Sequence, residues 1–214
     1  MFASLINNTM GIIERKERER EEMRKLILDA ARKLFLENGF EKVSIRNIAD
    51  EIEYSPATIY LYYKDKNELF FALHQTAFTK LIEEFAPIAQ LEQPIDQLTE
   101  MGRLYLQFAF ENPELYDLMF IMIAPIETLE CREDVWEDGH RAFGVLQQVV
   151  QACIDTGAIN HTNAEQAALM IWSSVHGLAA LHLRRRLSMF GEERIKTIMD
   201  ETYSLFIHTI KKGL

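Results

Sequence analysis

Glu137 and His140 stand three residues apart, the Glu-x-x-His step by which helical bundles present a carboxylate and an imidazole to a metal pair. Such a centre needs a second step of the same kind and two further carboxylates, and the step occurs nowhere else in the sequence. The pair therefore reads as surface. Cys131 and Cys153, the only cysteines, have no metal-type spacing and fit a reducing compartment. No glycine-rich phosphate loop and no nucleophile elbow is present, so no catalytic, metal or cofactor site is expected. Recognition chemistry is another matter. Ser55 to Phe70 reads SPATIYLYYKDKNELF, with Tyr60, Leu61, Tyr62 and Tyr63 in a row and Lys64 and Lys66 directly behind them. A core helix is apolar on one face only. Here the large side chains point all round, so some of them face a partner.

The elements that position this stretch are helical. Met23, Leu26, Ile27, Ala30, Ala31 and Leu34 recur at three- and four-residue spacing, and Asn38-Gly39 follows as a left-handed stop. This predicts a long first helix over about 12–37. Ser44 caps a short second helix whose buried stripe is Ile45, Ile48, Ala49 and Ile52. Ser55 caps a third, with Pro56 at its first position, where the missing N–H costs nothing. Asp65 to Glu68 reads as a capping box that opens a fourth helix, ended near Pro87. Two short helices separated by Glu53-Tyr54-Ser55 on a supporting first helix make a helix-turn-helix unit. On the third helix Ile59 and Tyr63 share a face and anchor the core, while Tyr60 and Tyr62 turn outward.

Charge divides the chain in the same place. Residues 1–66 hold 12 Lys/Arg and 12 Asp/Glu, whereas residues 67–214 hold 11 and 21, which accounts for the whole net charge of −10. Only the first third can meet nucleic acid. The expected domains are 12–66, a DNA-binding helix-turn-helix, and 67–214, a helical bundle. No leader or membrane span is visible, so a cytoplasmic protein is expected.

The stretch VSIRNIADEIEYSPATIYLYYKDKNELF resembles the DNA-binding signature of the tetracycline-repressor (TetR) family over residues 23–73. Carried over by position, the resemblance implies that Arg46, Pro56, Ala57 and Tyr60 meet bases and that Ser44, Thr58, Tyr62 and Lys66 meet phosphates, with Ser55 in the same set. Glu53 stands where the family has a turn glycine, so either Glu53 adopts a positive φ or the turn differs. Pro56 and Ala57 offer no hydrogen bonds, which leaves thymine methyls for them to read. Direct specificity then rests on Arg46 and Tyr60, with a contribution from DNA shape.

Helical segments are expected at about 95–110, 113–124, 134–156, 164–187 and 192–212, with Cys131 to Gly139 as an exposed acidic connection. Trp172, His176 and Gly177, together with the Asn112-Pro113 segment, resemble a C-terminal subclass of the family named for its Trp, His and Gly. The family typically releases DNA when an effector binds. That implies a pocket for a small apolar effector among Phe108, Phe110, Met119, Phe120, Met122, Phe143 and Trp172, with His176 as a hydrogen-bonded residue beside it. An ordinary filled core accounts for the same residues. A homodimer seam is expected from the last two helices, through Ala168, Ile171, Val175, Ile195, Ile198, Met199 and Phe206. The expectation is an all-α, effector-released repressor that binds a palindromic operator. A metal enzyme built on Glu137 and His140, and a helical adaptor that binds protein through Tyr60 and Tyr62, are the rival readings.

Overall fold

A computed structural model describes residues 2–122, 137–160 and 163–212, with side chains from Gly11 onward except Ile12. The described residues form nine α-helices and no strand: α1 (Phe2–Asn38), α2 (Ile45–Glu51), α3 (Pro56–Tyr60), α4 (Lys66–Glu84), α5 (Pro94–Glu111), α6 (Pro113–Phe120), α7 (Glu137–Asp155), α8 (Ala164–Leu183) and α9 (Glu192–Lys212). Short 3-10 turns at Phe40–Lys42, Ala86–Gln90 and Arg186–Phe190 join some of them. Among the described residues no helix is long and apolar enough to cross a membrane.

The chain divides into two compact units, one containing residues through His74 and the other containing Gln75–Ile121 and the helices from Glu137 onward. The division falls inside α4, later than the expected 66/67 boundary. The reason is that the first turns of α4 complete the core of the first unit. Leu69 and Phe70 are almost fully buried. The Phe70 ring meets Phe40 edge-on at 5.0 Å and Phe35 at 5.8 Å.

In the first unit, α1 buries Ile27, Ala30, Ala31 and Phe35, the three- and four-residue rhythm of one helical face. It ends at Gly39, whose φ of 80° is open to a residue without a Cβ and whose N–H reaches the Phe35 carbonyl at 2.9 Å. Residues 13–22 of α1 are all exposed, as a mixed-charge helix end should be. The cap opening α4 differs slightly from expectation: Asp65 accepts from the Glu68 N–H at 2.9 Å, but the Glu68 carboxylate returns to the Lys64 N–H.

In the second unit α5 packs on α6, α7 and α8, and α7 packs on α8. α9 contributes Met199, Tyr203, Ile207 and Ile210 as its buried stripe. α6 stops at Phe120, and α8 stops at Leu183, because Arg185 takes a left-handed φ of 55°. Of the expected connection from Cys131 to Gly139, residues 131–136 lie outside the described residues. Residues 137–139 are instead the first turn of α7, where Asp138 is buried and pairs with Arg141 at 3.0 Å.

Candidate nucleic-acid interface and ligand cavity

The interface unit is built by its caps. Ser44 Oγ accepts from the Asn47 N–H at 3.2 Å while Asn47 Oδ1 accepts from the Ser44 N–H at 2.9 Å, a reciprocal capping box that sets the start of α2. Ser55 Oγ accepts from the Thr58 N–H at 3.3 Å and shares a 3.0 Å hydrogen bond with Thr58 Oγ1. The turn between the helices closes through the Tyr54 N–H on the Ala49 carbonyl at 2.9 Å. Glu53 sits at φ 58°, so of the two alternatives the chain takes the strained backbone rather than another turn.

These caps leave an exposed recognition surface. Ile59 and Tyr63 are buried, while Tyr60 is 56 % exposed, Leu61 is 76 % exposed and Tyr62 is half-buried. Arg46 and Ala57 are exposed, and Pro56 and Thr58 are half-buried at the same end of α3. The Ser44 hydroxyl also donates to Asn47 Oδ1 at 2.6 Å, so a phosphate contact there needs that proton to turn away from Asn47, whereas the bond shared by Ser55 and Thr58 leaves one of their two hydroxyl protons free. Lys66 is different. Its ammonium donates to the Phe40 carbonyl at 2.9 Å and lies 4.1 Å from the Phe40 ring centroid, so it ties α4 to the end of α1. The exposed ammonium of this segment is Lys64.

The second unit encloses a cavity of about 430 Å³. Phe78 and Phe85 from α4 and its C-terminal end, Tyr105 from α5, Phe120 from α6, Phe143 from α7 and Trp172 from α8 supply much of its wall. Among the described residues that line it, Glu165 carries a formal charge and His140 is titratable; none is Lys or Arg. The wall is held by a polar network. Trp172 Nε1 donates to Tyr105 Oη at 3.4 Å, Tyr105 Oη lies 2.9 Å from His176 Nδ1, and Tyr116 Oη lies 3.1 Å and 3.3 Å from the two ring nitrogens of His176. Burial lowers the His176 pKa from its ordinary value, which favours the neutral ring. Burial also raises Tyr105 and pushes Tyr116 up to about 12, so both hydroxyls keep their protons.

Residues 27–73 match the family model described as bacterial regulatory proteins, tetR family, and residues 98–203 match the model described as tetracyclin repressor-like, C-terminal domain. The chain belongs to the TetR family. It is accordingly a DNA-binding transcriptional regulator and not an enzyme. A relative from Escherichia coli (strain K12) named "Probable acrEF/envCD operon repressor" is 22% identical over 203 residues, covering 91% of each chain. In fold, the chain resembles the TetR-family regulator PfmR of Thermus thermophilus, with a TM-score of 0.66 at 20% identity over 88% of this chain and 98% of that one. It also resembles the regulator FadR of Bacillus subtilis, solved in complex with stearoyl-CoA, with a TM-score of 0.65 at 17% identity over 86% and 97%.

Within this TetR-family chain, Met119, Phe120, Phe143 and Trp172 line the cavity as expected of a pocket. Phe108 does not; it is buried in the packed part of α5. Phe110 instead meets the tilted ring of His182 with centroids 4.5 Å apart, and Met122 is not part of the lining. His176 stands behind the wall, with its ring 5.8 Å from Trp172 and 5.4 Å from Phe120. The α5 contribution of Leu98, Met101, Gly102 and Tyr105 went unread in the sequence, although its three- and four-residue spacing carries the signal.

The expected dimer seam needs correction. Ala168, Ile171, Val175 and Met199 are buried inside this chain's own bundle, and Ile171, Val175 and Phe206 line the cavity. Ile195, Ile198 and Phe206 are half-buried. Both helices are apolar on more than one face, and the expected stripe is the inner one. The outer stripe of α8 is Met170, Ser174, Gly177 and Leu181, and that of α9 is Ile198, Thr202, Leu205 and Thr209, spaced at four, seven and eleven residues. Gly177 does not admit a neighbour from its own chain, since a Cβ there would meet nothing within 4 Å. Glu137 and His140 fall in the first turn of α7, and no group of three metal-binding side chains is gathered among the described residues.

Proposed function

We propose that this TetR-family chain is a cytoplasmic repressor that binds a palindromic DNA operator as a homodimer and is released by a small apolar effector. The observation that carries the reading is the apolar cavity of about 430 Å³ in a chain whose other unit exposes Arg46, Ala57 and Tyr60 on a capped helix-turn-helix. Arg46 and Tyr60 read base edges, Pro56 and Ala57 meet thymine methyls, and Ser44, Ser55, Thr58 and Tyr62 hold phosphates. With Lys66 committed to Phe40, Lys64 takes the main share of the lysine contact to phosphate. The two copies meet through the outer stripes of α8 and α9, where Met170, Leu181 and Leu205 are 40%, 45% and 65% exposed. The repressor name of the E. coli relative supports the DNA-binding half of this reading, and B. subtilis FadR, solved with stearoyl-CoA, supports the effector half only in that a regulator of the same fold takes a ligand.

An effector acts by its difference in affinity between DNA-competent and incompetent states, and the coupling is reciprocal. The test is fluorescence anisotropy on the DNA upstream of the chain's own gene, titrated with a panel of apolar molecules. A molecule that raises the melting temperature must also weaken DNA binding. A ligand that stabilises the chain and leaves DNA affinity unchanged contradicts the proposal.

A further inference from the structure

Among the described residues the cavity wall is largely apolar and aromatic and poor in free hydrogen-bond donors. In the neutral His176 tautomer with its proton on Nε2, Tyr105 receives the Trp172 indole N–H and donates its own proton to Nδ1, so its hydrogen is occupied. Tyr203, the other lining phenol, donates to the Thr99 carbonyl at 2.5 Å. No described lining residue is Lys or Arg; Arg103 lies near Tyr203 but is not part of the wall. Among the described residues, what remains for a polar head group is the exposed ring of His140 at one place, the carboxylate of Glu165 at another, and the aromatic rings of Phe120, Phe143 and Trp172. Glu165 has no ion pair among the described residues.

An anion entering such a space leaves water and finds almost no donor to replace it, a cost that keeps it out. A cation gains from aromatic rings, which attract positive charge at their faces, and from the Glu165 carboxylate at the exposed end of the wall. The second unit lies in the part of the chain, residues 67–214, that holds 11 basic against 21 acidic residues, so the wider field acts in the same direction. We infer that the cavity is shaped for a lipophilic cation, an apolar and largely aromatic body with a single delocalised positive charge, and that it rejects anionic amphiphiles of the same size. This rests on the reading of the cavity as the effector site. It separates this chain from a regulator such as FadR, whose bound stearoyl-CoA is anionic.

The test is isothermal titration calorimetry of the full chain with tetraphenylphosphonium and tetraphenylborate, which share one shape and differ in charge, and with neutral triphenylphosphine oxide as a smaller uncharged triaryl reference. The cation should bind about tenfold more tightly than the borate, the scale of one or two desolvated cation–aromatic contacts. E165Q, a change at an exposed position, should narrow that ratio several-fold while leaving the affinity for the oxide unchanged. Equal or reversed preference between cation and borate overturns the charge assignment and leaves ligand binding in the cavity standing. A ratio that E165Q does not change removes Glu165 from the assignment and overturns it as stated. Failure of all three probes to bind overturns the inference together with the effector site on which it rests.

Discussion

Gly102 lies in the middle of α5, where alanine ordinarily stabilises a helix by about 1 kcal/mol. At this position the sign should reverse. A Cβ on Gly102 would stand 2.3 Å from Tyr203 Oη and 3.0 Å from two ring carbons. Tyr203 is 6% exposed and donates to the Thr99 carbonyl at 2.5 Å, so its ring can yield only by swinging toward the cavity it lines and losing that bond. Overpacking of this kind costs about 1–3 kcal/mol. Breaking that bond leaves the Tyr203 hydroxyl without its acceptor and costs about 1–3 kcal/mol more. Set against the helix-propensity gain, Gly102→Ala should destabilise the chain by roughly 1–5 kcal/mol. Gly144→Ala in α7, where nothing lies within 4 Å of the new Cβ, should stabilise it by about 1 kcal/mol and serves as the control. Urea denaturation followed by circular dichroism measures both. Tyr203→Phe removes the atom closest to the new methyl, so the double variant Gly102→Ala/Tyr203→Phe should lose less than the sum of the single variants. A Gly102→Ala chain as stable as its parent would refute the close packing of α9 on α5.

Lys64→Ala should lower the salt slope of DNA binding by about one unit with no loss of stability. Lys66→Ala should instead destabilise the first unit by about 1–2 kcal/mol through its lost contacts with Phe40, read by the same denaturation assay. Leu205→Asp places a charge on the outer stripe of α9 at a 65% exposed position, so the subunit should stay folded while sedimentation shows monomer. A dimer of unchanged affinity would move the interface elsewhere. For His176 the folded pKa lies below the ordinary 6.5, so the unfolded chain takes up a proton first on acidification. Its stability contribution is complete above that value and declines as pH falls below it, and His176→Gln should flatten this part of the pH profile of unfolding.

The first unit was legible because its signals are local. Caps at Ser44 and Ser55, proline at the head of α3 and Ile59 with Tyr63 on one face are all properties of a few adjacent residues. The left-handed Glu53 could be posed only as one of two alternatives, since nothing in its neighbours shows which strain the backbone accepts. Lys66 reads as free in the sequence because its partner, the Phe40 carbonyl, is 26 residues away. The second unit was harder for the same reason. Ile171, Val175 and Met199 belong to an apolar stripe, and sequence periodicity does not say whether a stripe faces its own bundle or a second copy. Phe108 and Phe120 look alike in sequence, yet one fills the packed end of α5 and the other lines open space.

On the proposed function the first unit reads DNA through Arg46 and Tyr60. Footprinting of the full chain on the DNA upstream of its own gene tests it most directly, with Arg46→Ala and Tyr60→Phe beside the parent. Protection is expected over one inverted repeat whose half-sites lie about one helical turn, roughly 34 Å, or a multiple of it apart. Arg46→Ala should weaken operator binding by about 1–3 kcal/mol and relax preference at a single symmetric base pair, with binding to random DNA little changed. A footprint that both variants reproduce in full, or equal losses on operator and random DNA, would contradict it.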